Sequence, residues 1–181
     1  MNHKVSGTSA YTGTAIALHW LTAVLIVGAF TLGWIMTDLA VSPLKLRMFN
    51  WHKWTGVTVL ALVIIRSVWR ATHPPPALLP MPAWQRKAAN GLHHLLYLLM
   101  FLQPISGWIY SNAAGYPIVY LGLLRLPTLV SKNKALADIW VEVHEWLGWM
   151  LLIAICLHVL AGLKHHFVDR DDTLRRMLPG K

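Results

Sequence analysis

Charged residues are missing from three long stretches of this chain: between Lys4 and Asp38, between Lys87 and Arg125, and between Glu145 and Lys164. A helix needs about 18 or more apolar residues to cross roughly 30 Å of hydrocarbon. A fourth apolar stretch carries Lys53 and Arg66, both near its ends, where long side chains reach the interface. The pattern predicts four spanning helices, over about residues 15–36, 48–70, 91–112 and 139–164. Between the second and third lies His73-Pro74-Pro75-Pro76, then Pro80 and Pro82, which no helix continues through. Between the third and fourth, Asn112, Gly115, Pro117 and Pro127 mark a long loop. The expected fold is all-α, a transmembrane four-helix bundle forming one membrane-embedded domain over 1–181, with no internal repeat.

Composition supports the membrane reading. Only 13% of residues are charged, against about 25% in a soluble domain, and mean hydropathy is +0.48. The first apolar run, Ala15 to Met36, exceeds the ~7–15 residues of a signal-peptide core and has no convincing cleavage site, so it reads as a retained helix. Cys156 is alone, which excludes a disulfide framework, and no C-x-x-C-H is present for covalent haem attachment.

The formal net charge of +9 flanks membrane segments rather than forming a basic face, so no nucleic-acid partner is expected. With four crossings, one side holds ten basic residues: Lys4, Arg66, Arg70, Arg86, Lys87, Lys164, Arg170, Arg175, Arg176 and Lys181. The other holds six: Lys45, Arg47, Lys53, Arg125, Lys132 and Lys134. The excess marks both termini as cytoplasmic.

Ionisable residues inside a membrane are functional suspects, and four histidines fall at matched depths. His19 and His158 lie about one turn inside the cytoplasmic ends of helices one and four, while His52 and His144 lie near the outer ends of helices two and four. His144 and His158 are 14 residues apart, nearly four turns, so they share a helix face about 21 Å apart. One imidazole pair near each membrane surface suits two haems stacked across the bilayer, because imidazole is a common axial ligand and a second one favours electron transfer. Gly56, Gly148 and Gly162 follow His52, His144 and His158 by four residues. A residue without a side chain on that face leaves room for a flat macrocycle; close helix–helix approach is the alternative.

His93 and His94 begin helix three at the inner depth, and His93 shares a face with Tyr97. Either could replace His19 as a ligand. The favoured role for His93 is a hydrogen bond to a haem propionate or a quinone, with a plain interfacial histidine as the alternative. Arg66 and Arg70, one turn apart, are expected to neutralise the inner haem's propionates, the alternative being positive-inside anchoring. Gln103 must face the interior, His165 and His166 read as interfacial, and His3 and His73 carry no expected role. The ten tryptophans sit largely at helix ends, as a belt of anchors would.

These residues resemble a family. His19-Trp20, His52 with Gly56, His93 with Tyr97, Trp140 to His144, and His158 look like the bacterial cytochrome b561 family, in order and spacing over essentially the whole chain. The tail His165-His166-Phe167-Val168-Asp169-Arg170-Asp171-Asp172-Thr173-Leu174-Arg175-Arg176-Met177 is the most specific match. The resemblance implies a bacterial inner-membrane protein with two haem b groups, held by His19 with His158 and by His52 with His144. It also implies ubiquinone as redox partner, and one branch of the family oxidises superoxide at the outer face. The cofactor supplies the one-electron chemistry and the protein supplies ligation and potential.

The expected function is therefore electron transfer across the membrane between an outer one-electron donor, a small anion such as superoxide or a protein, and ubiquinone. A haem-bearing anchor for a separate dehydrogenase is the alternative. A histidine relay for metal or proton transport fits least, since no Asp, Glu, Lys or Arg lies at mid-membrane. At the outer face the six basic residues oppose Asp38, Asp138, Glu142 and Glu145. They would either steer an anion or hold lipid headgroups.

Overall fold

The computed structural model describes residues 10–178, so His3, Lys4 and Lys181 lie outside it. Four long helices form: α1 (Gly13–Asp38), α2 (Pro43–Thr72), α3 (Ala83–Ala113) and α4 (Lys134–Lys164). All four are long and apolar enough to cross a membrane.

Each helix outruns its apolar stretch, and for α1, α2 and α4 the capping residue lies beyond it. The Thr12 hydroxyl accepts the Ala15 amide at 3.2 Å, Ser42 accepts that of Lys45 at 3.3 Å, and Asn133 accepts that of Leu136 at 3.1 Å. Pro43 occupies the first turn of α2, where its missing N–H costs nothing. The largest extension is in α3, which starts directly after Pro82 and carries Arg86 and Lys87 in a polar first two turns outside the apolar span.

The helices pack in chain order, α1 on α2, α2 on α3 and α3 on α4. Chain ends meet at one end of the bundle, termed inner below: Trp69 Nε1 donates to Thr12 at 3.1 Å and Trp20 Nε1 to the Met177 carbonyl at 2.7 Å. One contiguous core joins Ile26, Val59, Val63, Leu96, Leu99, Met100, Leu151 and Ala154. In every helix those residues fall between the inner and outer histidine depths, so the dry centre separates two polar layers.

The outer loop is more ordered than its Gly and Pro content suggests. Val119–Tyr120 (β1) pairs antiparallel with Leu124–Arg125 (β2). The turn between them runs through Leu121 and Gly122, both at positive φ. Trp54 Nε1 donates to the Val119 carbonyl at 2.7 Å, Tyr120 and Thr58 share a hydroxyl bond at 2.9 Å, and Trp108 Nε1 donates to Pro127 O at 3.1 Å. These tryptophans fasten the loop to the bundle, beyond the anchoring expected of them.

His165, read as interfacial, lies at the end of α4 and is covered by the tail. The helix continues into a π-helical turn, His165–Asp169, and reverses at Arg170 in the left-handed region. His165 is buried, with Nδ1 at 2.6 Å from Asp171, while Lys164 pairs with Asp169 at 2.6 Å. The reversal brings Arg176 to donate to the Ala77 carbonyl at 2.9 Å. The tail thus closes over the inner end.

Candidate metal centres

The outer layer brings His52 of α2 against His144 of α4, ring centres 6.1 Å apart. The inner layer brings His19 of α1 against His158 of α4, also at 6.1 Å. Two imidazoles on opposite sides of one metal ion, each bonded at about 2 Å, have ring centres about 6 Å apart. Both pairs therefore have the reach of a shared metal ion, and neutral imidazole is a suitable donor for iron.

Nearby polar groups orient the outer rings. His52 Nδ1 lies 2.9 Å from the Ala29 carbonyl. His144 Nδ1 lies 3.1 Å from the Gln103 carbonyl and 2.9 Å from Ser106 Oγ. A carbonyl only accepts, so Nδ1 carries the proton in each ring and Nε2 keeps its lone pair. This is the outer-shell arrangement that fixes a histidine ligand. Gln103 also points its Nε2 at His144 Nε2, 3.3 Å away, while its Oε1 is buried without a partner.

Two glycines other than those read as leaving room for a macrocycle lie beside these rings. An added Cβ at Gly107 would lie 2.8 Å from His144 Cε1, and one at Gly33 would lie 3.5 Å from His52 Cε1. Gly148 faces Gln103 Nε2 at 3.3 Å, so the space beside it is already filled. Gly56 has only Pro104 Cβ nearby, at 3.9 Å, and Gly162 has nothing within 4 Å. Gly33 and Gly107 lie on the helices that lack an outer histidine. A search for glycine at the outer depth of α1 and α3 would have found them.

The inner layer is more crowded. His93 also faces His158, ring centres 5.3 Å apart, whereas His94 is exposed. Arg66 Nη2 donates to His19 Nδ1 at 3.0 Å and its guanidinium stands over the Tyr97 ring at 5.4 Å. Arg70 is 6.0 Å from the same ring. Both arginines line a cavity of about 340 Å3 with Tyr11, Trp69, Tyr97 and Met177. His73, given no role from sequence, stacks on Trp69 at 3.9 Å and lines the same cavity. Among the described residues the lining contains no acidic one.

The model of the family described as prokaryotic cytochrome b561 matches residues 10–180. The chain belongs to the prokaryotic cytochrome b561 family. Membership implies haem b, and the paired imidazoles, the glycines against their rings and the buried unpartnered carboxamide oxygen of Gln103 fit such a group. Among curated relatives, the chain is 38% identical to "Cytochrome b561 homolog 2" of Escherichia coli (strain K12), over 90% of this chain and 87% of the relative. It is 30% identical to "Cytochrome b561 homolog 1" of the same organism, over 93% and 97%. It is also 30% identical to "Probable superoxide oxidase CybB" of Yersinia pestis, over 94% and 97%. As a member of this family with four candidate spans, the protein is a membrane-bound cytochrome.

Proposed function

We propose that the chain holds two haem b groups, one per histidine pair, and passes electrons across the inner membrane between a one-electron donor at the outer face and ubiquinone. The observation that carries this is the repeated pair: His52–His144 and His19–His158 have the same 6.1 Å ring separation in two layers set apart by an apolar core. Bound there, haem would supply a one-electron couple, with the two imidazoles of each pair as its ligands. The residues do the rest. His52 and His144 would hold the outer group through Nε2, with the Ala29 and Gln103 carbonyls keeping their Nδ1 protons in place. His19 and His158 would hold the inner group, and Arg66 and Arg70, which line a cavity at that end, would pair with its carboxylates. His93, beside that cavity's Tyr97, hydrogen-bonds a carboxylate or a quinone oxygen.

Both termini are proposed to be cytoplasmic, on the charge asymmetry between the two sides. The name of the Yersinia pestis relative supports superoxide as the outer donor, and the basic residues of the outer face support an anion. Two of them are already engaged: Lys45 caps α1 through the Thr37 and Leu39 carbonyls, and Lys134 pairs with Asp138 at 2.8 Å. Arg47, Arg125 and Lys132 are exposed and remain for steering.

One observation favours the anchor reading as an alternative. The outer hairpin exposes Leu121 and Leu124, and Leu123 is 88% exposed, a surface suited to a docked subunit. Anaerobic reduction of the purified protein by superoxide or another one-electron donor, followed by reoxidation with a ubiquinone analogue, tests the main proposal. Two low-spin haems per chain that are reduced and reoxidised support it. One haem per polypeptide, or reduction only in the presence of a copurifying larger subunit, overturns it.

A further inference from the structure

The two histidine pairs are held differently, and the difference lies in which ring nitrogen is bonded. In the outer layer every acceptor faces Nδ1, leaving Nε2 of His52 and His144 with a lone pair. Gln103 Nε2, a neutral donor at the long distance of 3.3 Å, touches that lone pair on His144 and so agrees with this tautomer. In the inner layer the direction is reversed. Guanidinium has donors only, so at 3.0 Å from Arg66 Nη2 the Nδ1 atom of His19 must be the acceptor. The His19 proton is then on Nε2, which cannot bond a metal until the proton has moved.

We infer that the two centres fill in order, the outer pair first, and that Arg66 is the positioning residue that delays the inner one by holding His19 in the non-ligating tautomer. This rests on the haem reading proposed above. The release of Arg66 has a destination in the structure: its guanidinium already borders the cavity beside Arg70 and Tyr97. There an arriving carboxylate exchanges one charge-assisted partner for another, freeing His19 as it binds. The outer pair has no such step, since displacing a neutral carboxamide from His144 requires no tautomer change. Only a fraction of molecules has His19 ready at any moment, and capture is slowed by that fraction.

The wild-type, full-length protein, haem-free in detergent and labelled with 15N-histidine, gives the first test, because two-bond 15N–1H couplings distinguish the tautomers. The Nδ1–H form is expected at His52 and His144, and the Nε2–H form at His19. The second test follows haemin capture by stopped flow in single-pair variants, His19→Ala keeping the outer pair and His52→Ala the inner. The outer pair should capture haemin about tenfold faster or more. Adding Arg66→Leu to His52→Ala should remove most of that lag in association, while the lost cation speeds release; a merely structural arginine would not separate the two rates. An Nδ1–H tautomer at His19 in the wild type, equal capture rates, or a lag untouched by Arg66→Leu would overturn ordered filling and leave the haem reading standing. If neither single-pair variant yields a low-spin spectrum with haemin, the haem reading itself fails and ordered filling falls with it.

Discussion

Gly107 of α3 lies flat against the imidazole of His144 on α4, so close that a single methyl group there would sit 2.8 Å from Cε1 and 3.1 Å from Nδ1. Hydrogen bonds from its Nδ1 to Ser106 and the Gln103 carbonyl, both also on α3, hold the ring against that helix, so moving it away breaks them.

Gly107→Ala is therefore expected to displace His144 and empty the outer site, with overpacking of about 1–3 kcal/mol. Gly28→Ala, also within a span but with nothing within 4 Å, should be neutral or raise stability by up to about 1 kcal/mol. Haem content by pyridine haemochrome, together with thermal unfolding in detergent, checks both. Equal haem content in the two variants would contradict the crowding argument.

Ser106→Ala removes one of two partners of His144 Nδ1 and leaves the Gln103 carbonyl in place. Loss of such a partner costs up to 10–100-fold in metal affinity, and with one acceptor retained about tenfold is expected. Competition for haem by apomyoglobin would measure it, with the inner site unchanged as an internal reference.

Replacing His52 or His144 with alanine should remove the outer low-spin haem, and replacing His19 or His158 the inner one. His93→Ala should retain both, because its ring lies nearer His158, at 5.3 Å, than the 6.1 Å of the assigned pairs. Electron paramagnetic resonance of each variant separates the two signals. A lost signal in His93→Ala with both retained in His19→Ala would reassign the inner ligand.

Asp171 gives the tail a pH dependence. Burial alone would raise its carboxyl, but hydrogen bonds from Thr173 and His165 outweigh this and hold it below the ordinary value. A carboxyl lowered by folding stabilises the folded form above its unfolded value, about 3.9, and that contribution is lost as the pH falls through the lowered value. The clasp should thus stay shut at neutral pH and loosen only in acid. The part of the tryptophan fluorescence change that is lost in Trp20→Phe reports it, since Trp20 bonds the Met177 carbonyl. Asp171→Asn should show the loosened signal already at neutral pH.

If superoxide is the donor, haem reduction should slow with ionic strength, because exposed charges are screened within about 10 Å at 0.1 M salt. Arg125→Glu with Lys132→Glu should lower the rate about tenfold or more and flatten the salt dependence. Lys134→Glu should do less, its charge being paired with Asp138. Stopped-flow reduction over a salt series provides the measurement. Rates indifferent to salt and to both substitutions would leave these charges to lipid headgroups.

The histidine layers were legible from sequence because depth along an apolar helix follows from residue count alone. What surrounds each ring was not, since it depends on how the helices are rotated against one another. Gly107 crowds, and Gly33 borders, a ring carried by another helix, and no spacing along one helix reveals that. The Gln103 carbonyl is a backbone group and has no signature in composition. The hairpin at Leu121 and Gly122 escaped notice because strands of two residues leave too short an alternation to read. The burial of His165 had no sequence signal for another reason: it depends on the π-helical turn that begins there and folds Asp171 back onto it.

Helix α4 contributes one imidazole to each layer, His144 and His158, on a single uninterrupted length of helix. Its covalent backbone thus works as a ruler: the vertical gap between the layers cannot change unless the helix itself bends or unwinds. Shifts of α1 or α2 with bilayer thickness or tilt would alter how firmly each partner histidine is held, but leave that gap nearly constant. Tunnelling rates fall steeply with distance, so under the proposed function a bundle built this way would protect transfer between the layers from the mechanical state of the surrounding lipid.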